Sequence, residues 1–340
     1  MNVSGDIYSF IDNLSCMVDL HLHLDGAISL SSAKELAKMQ GISLPDSDKE
    51  LEEIMRVPDS CSSLHEFLLR FAFPCSLLMT YDGLYKATAN LLAELKKQGC
   101  MYAELRFAPY ILTKNGMTQE DATKAVIAAM TDAEIPSSLI LCCMRNELDR
   151  EGNEETLEIA EKYLGKGVAA IDLAGNEAAN PTADFAELFA SAKAKGVPFV
   201  IHAGEAAGAE SVKAAVGFGA VRIGHGIRSL EDGALVSELA DRQIPLEICP
   251  TSNVCTAIFG EISEYPIRTL LDDGIYVTVN TDDPAIEGTT IKQEYKNLVR
   301  EFDLTKDEIR LLLENGVNAS FASGELKAEM LKKIASEFGE

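Results

Sequence analysis

Eight short runs of apolar, β-type residues recur along this chain, and the segments between them carry helical spacing. The runs are MVDLHLHL (17–24), MYAELRFA (101–108), LILCCM (139–144), VAAIDLA (168–174), PFVIHA (198–203), AVRIGH (220–225), IPLEIC (244–249) and IYVTVN (275–280). Near-continuous apolar strands are buried on both faces, which is the habit of parallel sheets. The intervening segments, such as DFAELFASAKAKG (184–196) and SLEDGALVSELADRQ (229–243), place apolar residues at helical intervals, and such segments often end near glycine. Alternation of this kind predicts parallel βα units, and eight of them predict an α/β fold of the (β/α)8 barrel type. A doubly wound open sheet is the alternative. No GxGxxG follows the first run, which weakens its dinucleotide-binding form.

The length of 340 residues fits one barrel with insertions. No linker or low-complexity block divides the chain, so a single domain is expected over 1–340. The spacing is uneven, however. Residues 25–99 are far more than one helix needs, and they hold SSLHEFLLRFAFPCSLL (62–78). A helical lid over the barrel mouth is expected there. The tail TKDEIRLLLENGVNASFASGELKAEMLKKIASEFGE (305–340) predicts at least two further helices closing the structure.

Bulk properties narrow the partners. A formal net charge of −24 argues against nucleic acid or an anionic membrane, which need a basic footprint, and leaves a neutral small molecule. No apolar run reaches transmembrane length, and MNVSGDIYSFIDN lacks the regions of a secretory signal. Cysteines stand at 16, 61, 75, 100, 142, 143, 249 and 255, mostly inside apolar runs, and no CxxC pair is present. Free buried thiols in a reducing cytoplasm are the expectation, without a cysteine zinc site. A monomer or weak homo-oligomer is expected.

In a barrel, chemistry sits at the C-terminal ends of the strands. Polar residues gather at those ends here: His21 and His23, Gly175-Asn176-Glu177, His202 with Glu205, His225, and Asp282-Asp283. Side chains two apart on a strand share a face, so His21 and His23 can both enter the mouth. Alone, they would be two polar residues on one face. With His202 and Asp282 added, three nitrogens and one oxygen suit a single Zn²⁺ with a position left for water. Iron, cobalt and manganese accept similar ligands. Binuclear barrel hydrolases commonly end strand four with a carboxylated lysine, and none is present, so one metal is favoured. Metal-assisted hydrolysis then needs a proton donor, for which Glu205 is placed, and a group to orient water or take its proton, for which His225 is placed. Asp283 can contact substrate. With Asp282, Glu205 and His225 make the expected catalytic set. Glu104 and Arg106 on the second strand are read as a barrel-interior ion pair.

Together HLHLDG (21–26), AELRFAP (103–109), ILCCMR (140–145), DLAGNE (172–177), HAGE (202–205), RIGHG (222–226), EICPTSN (247–253) and NTDDP (280–284) resemble the adenosine deaminase family of the amidohydrolase superfamily. The resemblance covers nearly the whole chain. It implies zinc-dependent hydrolysis of adenosine and 2′-deoxyadenosine to the inosines and ammonia, through a tetrahedral C6 adduct. His21, His23, His202 and Asp282 match the zinc ligands, and His23 also borders the substrate. Glu205 matches the acid protonating ring N1, and His225 the residue positioning the attacking hydroxide. Gly175 matches a backbone N–H donor to N3, and Asp283 an acceptor facing N7. Asp25 matches the acid bonded to the ribose 5′-hydroxyl. Relatives acting on free adenine typically carry Glu at that position, so Asp25 points to a nucleoside. AMP would need phosphate contacts and its deaminases usually carry a long N-terminal extension. Leu64, Phe67, Leu68 and Phe71 match a hydrophobic helix gating the purine, with simple packing on the barrel as the alternative; His65 lies on another face, at the surface. The H-x-E and P-C-x-x-C elements of polynucleotide deaminases are absent. The rival readings are another aminopurine, an unrelated amide, or a catalytically silent nucleoside-binding or protein-binding module.

Overall fold

A computed structural model describes residues 3–58, 60–146 and 150–340. Its strands are β1 (Met17–His23), β2 (Cys100–Phe107), β3 (Ser137–Met144), β4 (Val168–Ala174), β5 (Val200–Ala203), β6 (Arg222–His225), β7 (Leu246–Ile248) and β8 (Val277–Val279). Each of the eight expected runs overlaps one of them, with β2 starting one residue and β3 two residues before its run. Strands β1 to β4 pair in order, as do β5 to β8, all parallel. Two seams close the ring: Ile171 bridges Phe199, and Leu22 bridges Asp282. The second seam carries Asp282 N–H donating to the His21 carbonyl at 2.8 Å and His23 N–H donating to the Asp282 carbonyl at 2.9 Å. The sheet is therefore a (β/α)8 barrel, with its edges consumed by closure.

The last four strands are shorter than their apolar runs. Pro198 and Pro245 have no N–H to donate, so the ladders begin after them, although both carbonyls accept across the seam or pair. At the other end, β6 stops at His225 (φ +58°) and β8 is followed by Asp282 (φ +67°). Left-handed backbone is costly for a residue with a side chain, and such strain collects at functional sites.

The helices follow local chemistry. Asp232 caps Gly233–Arg242 by accepting from the N–H groups of Ala234 and Leu235, so this helix starts later than its apolar pattern. Ala186–Lys195 ends at Gly196, whose φ of +68° glycine adopts freely. The tail forms Lys306–Ala319 and Gly324–Glu337, the first opened by a Thr305/Glu308 capping box. Residues 25–99 contain the helices Leu30–Gln40, Asp48–Met55, Leu64–Leu68, Ala72–Leu77 and Tyr81–Lys97. The i, i+3, i+4, i+7 spacing of Leu64, Phe67, Leu68 and Phe71 predicts one helix, but the chain passes through a tight 3₁₀ turn at Leu69–Phe71. Pro74 explains the interruption. It cannot donate to residue 70, so it sits in the first turn of a new helix, where no such donor is needed.

The barrel interior below the mouth is charged, not apolar. Arg106 reaches Asp172 Oδ2 at 2.7 Å and Glu247 Oε2 at 2.8 Å. Arg222 reaches Glu104 Oε2 and Glu247 Oε1, each at 2.5 Å. Glu104 and Arg106 are interior ions, as expected, but they do not pair with each other. Two positions along a strand put them in different layers of side chains, and each finds its partner across the barrel. Removing Arg106 would leave two buried carboxylates short of a cation. Arg106→Leu is expected to lower unfolding free energy by about 3–5 kcal/mol, measured by urea unfolding. A midpoint like that of the wild type would show that other donors hold Asp172 and Glu247.

Candidate active site

A cavity of about 590 Å³ opens at the C-terminal mouth of the barrel. The strand-end residues line it, and the inserted helices cover it through Leu64, Phe67, Leu68 and Phe71. Phe67 is buried, while His65 on the same short helix is exposed.

At the floor, imidazoles converge. His21 Nε2 lies 2.9 Å and His23 Nε2 3.1 Å from His202 Nε2. Asp282 Oδ1 is 3.3 Å from His21 Nε2 and 3.4 Å from His23 Nε2. Behind two of the rings stand carboxylates from the charged layer below. His21 Nδ1 is 2.8 Å from Glu247 Oε2, and His202 Nδ1 is 2.8 Å from Asp172 Oδ2. A carboxylate only accepts, so Glu247 keeps the His21 proton on Nδ1 and turns its Nε2 lone pair toward the centre, while the Asp172 charge faces His202 Nδ1 without an aligned hydrogen bond. Lone pairs meeting at such distances repel unless a cation lies between them. The residues present therefore fit a metal ion: atoms of His21, His202, His225 and Asp282 lie within 4.8 Å of one another, so His225 stands in this group where His23 was expected, while His23 reaches it through His202 and Asp282.

His225 differs from the other rings. Asn253 Nδ2 lies 3.2 Å from its Nδ1, and the Tyr265 hydroxyl donates to Asn253 Oδ1 at 3.3 Å. That bond places the amide NH₂ toward His225, so Nδ1 accepts and Nε2 carries the hydrogen. His225 Nε2 lies 3.6 Å from Asp282 Oδ2 and 3.8 Å from Glu205 Oε2. Its tautomer makes it a donor toward the site, where His21 and His202 present lone pairs. Asp282 Oδ2 also accepts from the Ser252 hydroxyl at 2.8 Å.

Burial sets the acids. Glu205 is pushed up to about 8 by burial, with the Asp282 and Glu177 charges adding to it. Asp283 is raised well above the carboxylate range by burial and by Asp282 and Glu287. Burial pushes Asp282 up as well, but the charge and hydrogen bond of His21, with the charges of His225 and His23, together hold it low. Burial and Arg106 push His21 down, yet Asp282 and Glu247 bring it to about 9. A cation at the centre would take the place of that proton. His23, His202 and His225 are lowered, chiefly by burial.

Two carboxylates face the cavity with an unused oxygen. Asp25 Oδ1 and Asp283 Oδ1 are buried and find no hydrogen-bond partner among the described residues. Asp25 Oδ2 accepts from the Cys75 thiol at 3.6 Å. Burial pushes Asp25 up to about 6. Asp283 stands against Gly26, where any Cβ would fall 1.6 Å from Asp283 Oδ1, so only glycine fits that turn. Gly175, at φ +108°, also lines the cavity and leaves its backbone open to a ligand.

Thus the expected residues His21, His23, Asp25, Gly175, His202, Glu205, His225, Asp282 and Asp283 share one mouth. Sequence reasoning passed over Asp172, Glu247, Ser252 and Asn253, and noted Glu177 at a strand end without giving it a role. Each lies inside a quoted motif, which was the available signal, but their partners are remote in sequence.

A family profile described as adenosine deaminase matches residues 17–337. The adenosine deaminase of Haemophilus ducreyi is 44% identical over 331 residues, covering 95% of this chain and 96% of that protein. Among solved structures, an adenine deaminase from Arthrobacter aurescens superposes with a TM-score of 0.85 at 28% identity, covering 95% of this chain and 99% of its own. The N6-methyl-AMP deaminase of Arabidopsis thaliana gives a TM-score of 0.84 at 26% identity, covering 97% and 98%. Metal-ready strand ends, a buried acid and near full-length similarity agree: the chain belongs to the adenosine deaminase family.

Proposed function

We propose that this protein hydrolyses adenosine and 2′-deoxyadenosine to inosine and 2′-deoxyinosine with release of ammonia, using one zinc ion held by His21, His23, His202 and Asp282. The observation that carries the reading is the convergence of three Nε2 atoms on Asp282 beside an acid, Glu205, that burial keeps protonated. The bound ion supplies Lewis acidity, which lets water ionise near neutral pH.

The protein's own groups do the rest. Glu205 donates its proton to purine N1, which makes C6 electrophilic. The His225 Nε2–H orients the attacking water. The Gly175 N–H meets N3. Asp283 read from the sequence as an acceptor needs correction, because purine N7 offers only a lone pair. Its raised pKa keeps Asp283 protonated, so it donates to N7. The free Oδ1 of Asp25 takes the ribose 5′-hydroxyl. None of these contacts uses the 2′-hydroxyl, so deoxyadenosine fits equally. Leu64, Phe67, Leu68 and Phe71 bury the purine, and we read 25–99 as a lid on a single domain spanning 1–340. One chain supplies every role, so a monomer or weak homo-oligomer suffices. No helix among the described residues is long and apolar enough to cross a membrane. The buried thiols of Cys100, Cys142 and Cys143 inside the strands suit the cytoplasm.

The test is a panel of adenosine, 2′-deoxyadenosine, adenine and AMP, followed by ultraviolet absorbance on protein of measured metal content. The two nucleosides should show kcat/KM values within about 10-fold of each other. Adenine and AMP should fall at least ~100-fold below, since each leaves the 5′ contact at Asp25 unmade or charged against it. Preference for adenine, or binding of adenosine without turnover, would reject the reading.

A further inference from the structure

We propose that Glu177 is a positioning residue for the proton donor, clamping the backbone of residues 204–207 so that Glu205 points into the cavity; this rests on the deaminase reading above. Residues 204–207 follow β5 and belong to no strand or helix, so their N–H groups have no ladder to join. Glu177 supplies the acceptors. Its Oε1 takes the Gly204 N–H at 2.7 Å and the Ser211 hydroxyl at 2.5 Å. Its Oε2 takes the N–H groups of Glu205 at 3.1 Å, Ala206 at 2.8 Å and Ala207 at 2.9 Å. The carboxylate is 2% exposed, so these bonds are made away from water.

The arrangement is specific to a carboxylate. Five donors face it, and a carboxylate is the side chain that accepts through both ends. An amide of the same shape would turn one end into a donor, facing either three N–H groups or one N–H and a hydroxyl. The carbonyl side of the loop is fixed separately. Arg228 N–H donates to the Gly204 carbonyl at 3.0 Å, and Arg228 Nη1 to the Ala206 carbonyl at 3.1 Å. Glu177 thus restrains the donor side of the one segment from which Glu205 projects. It lies just past the end of β4 and two residues beyond Gly175, so the strand that presents the purine-facing glycine also holds the acid. The metal-facing residue His202 precedes the clamped segment and sits on β5 itself, held by the barrel ladder and by Asp172.

That division predicts a selective defect. Glu177→Gln should lower kcat about 100-fold, because misplacing a general acid by a fraction of an ångström forfeits much of its contribution. KM and metal content should stay within about 3-fold of the wild type. 1-Deazaadenosine, which has no N1 to protonate, should bind the variant and the wild type equally well. Glu177→Asp keeps the charge but withdraws it by one methylene, and should lose about 10-fold in kcat with KM unchanged; it serves if the Gln variant does not fold. Wild-type kcat in either folded variant overturns the proposal. So does joint loss of kcat, metal and 1-deazaadenosine binding, which would mark a merely structural role. Wild-type protein run alongside separates the two ideas: no turnover of adenosine by the wild type rejects the deaminase reading and this proposal with it, whereas an active wild type with an unchanged variant rejects this proposal alone.

Discussion

Glu205→Gln should lower kcat about 10³-fold while leaving the metal content unchanged. The side chain is 5% exposed and its carboxyl is pushed up to about 8 by burial, Asp282 and Glu177. A carboxyl group with such a pKa carries its proton at neutral pH, where an ordinary glutamate would not. Glutamine keeps the shape and can still hydrogen-bond to N1, but it cannot release a proton, and general acid catalysis of this kind contributes on the order of 10²–10⁴. The sign of the pH dependence follows. The acid form is needed, so wild-type kcat should fall as pH rises through the pKa of Glu205, and a dication beside the group moves that limb below 8. The limb should vanish from the residual rate of the variant. Metal-free protein gives an independent check. Between the ordinary 4.5 and about 8, the folded state holds a proton that the unfolded chain has released, so wild-type stability falls as pH rises across that window. Glu205→Gln removes that fall. A near-normal kcat in the variant would sink Glu205 as the proton donor.

His202→Ala should remove the metal and with it at least ~10⁴-fold of kcat/KM. His202 Nε2 lies 2.9 Å from His21 Nε2 and 3.1 Å from His23 Nε2. On the proposed ligand set, its loss would remove one of four ligands. It also uncovers Asp172, whose Oδ2 faces His202 Nδ1 at 2.8 Å and remains paired with Arg106 at 2.7 Å. The fold should survive, because the charge on Asp172 keeps its guanidinium partner. Metal content after dialysis against a chelator, measured beside circular dichroism, reads both outcomes. Full metal occupancy in a folded His202→Ala protein would refute the ligand assignment. The two variants also separate two functions: Glu205→Gln keeps the metal and loses the proton, while His202→Ala loses the metal itself.

Much of this site could be read along the chain because a barrel maps sequence order onto a ring. Each strand is a contiguous apolar run, and each run ends at the same rim. His21, His202, His225 and Asp282 could therefore be gathered from four separate strands without knowing a single distance. The inserted helices over the cavity were legible only in part. Leu64, Phe67, Leu68 and Phe71 do line the cavity, but Pro74 competes with their helical spacing and splits the segment. Local pattern described the face, and local backbone chemistry decided the break.

Other features were invisible for a physical reason. Asp172 and Glu247 sit within strands, and nothing about either residue alone tells a backing carboxylate from a barrel-interior ion. Glu104 and Arg106 look like natural partners at a spacing of two, yet the barrel offers each a better one across its axis. The raised pKa of Asp283 comes from burial and then from crowding by Asp282 and Glu287, and that of Glu205 from burial and then from Asp282 and Glu177. The tautomer of His225 depends on Asn253, which is in turn oriented by Tyr265.

The sequence by itself determined the eight strands, their order, the rim on which chemistry gathers and the identity of the groups there. These depend on short-range pattern and on the residue types that a metal and a proton transfer demand. Only the tertiary structure decided which nitrogen of each histidine faces the centre, which acids have their pKa raised and which backbone N–H groups bond to Glu177. Those properties arise from charges and hydrogen bonds between residues far apart in the chain, whose strength is set by the loss of water around them.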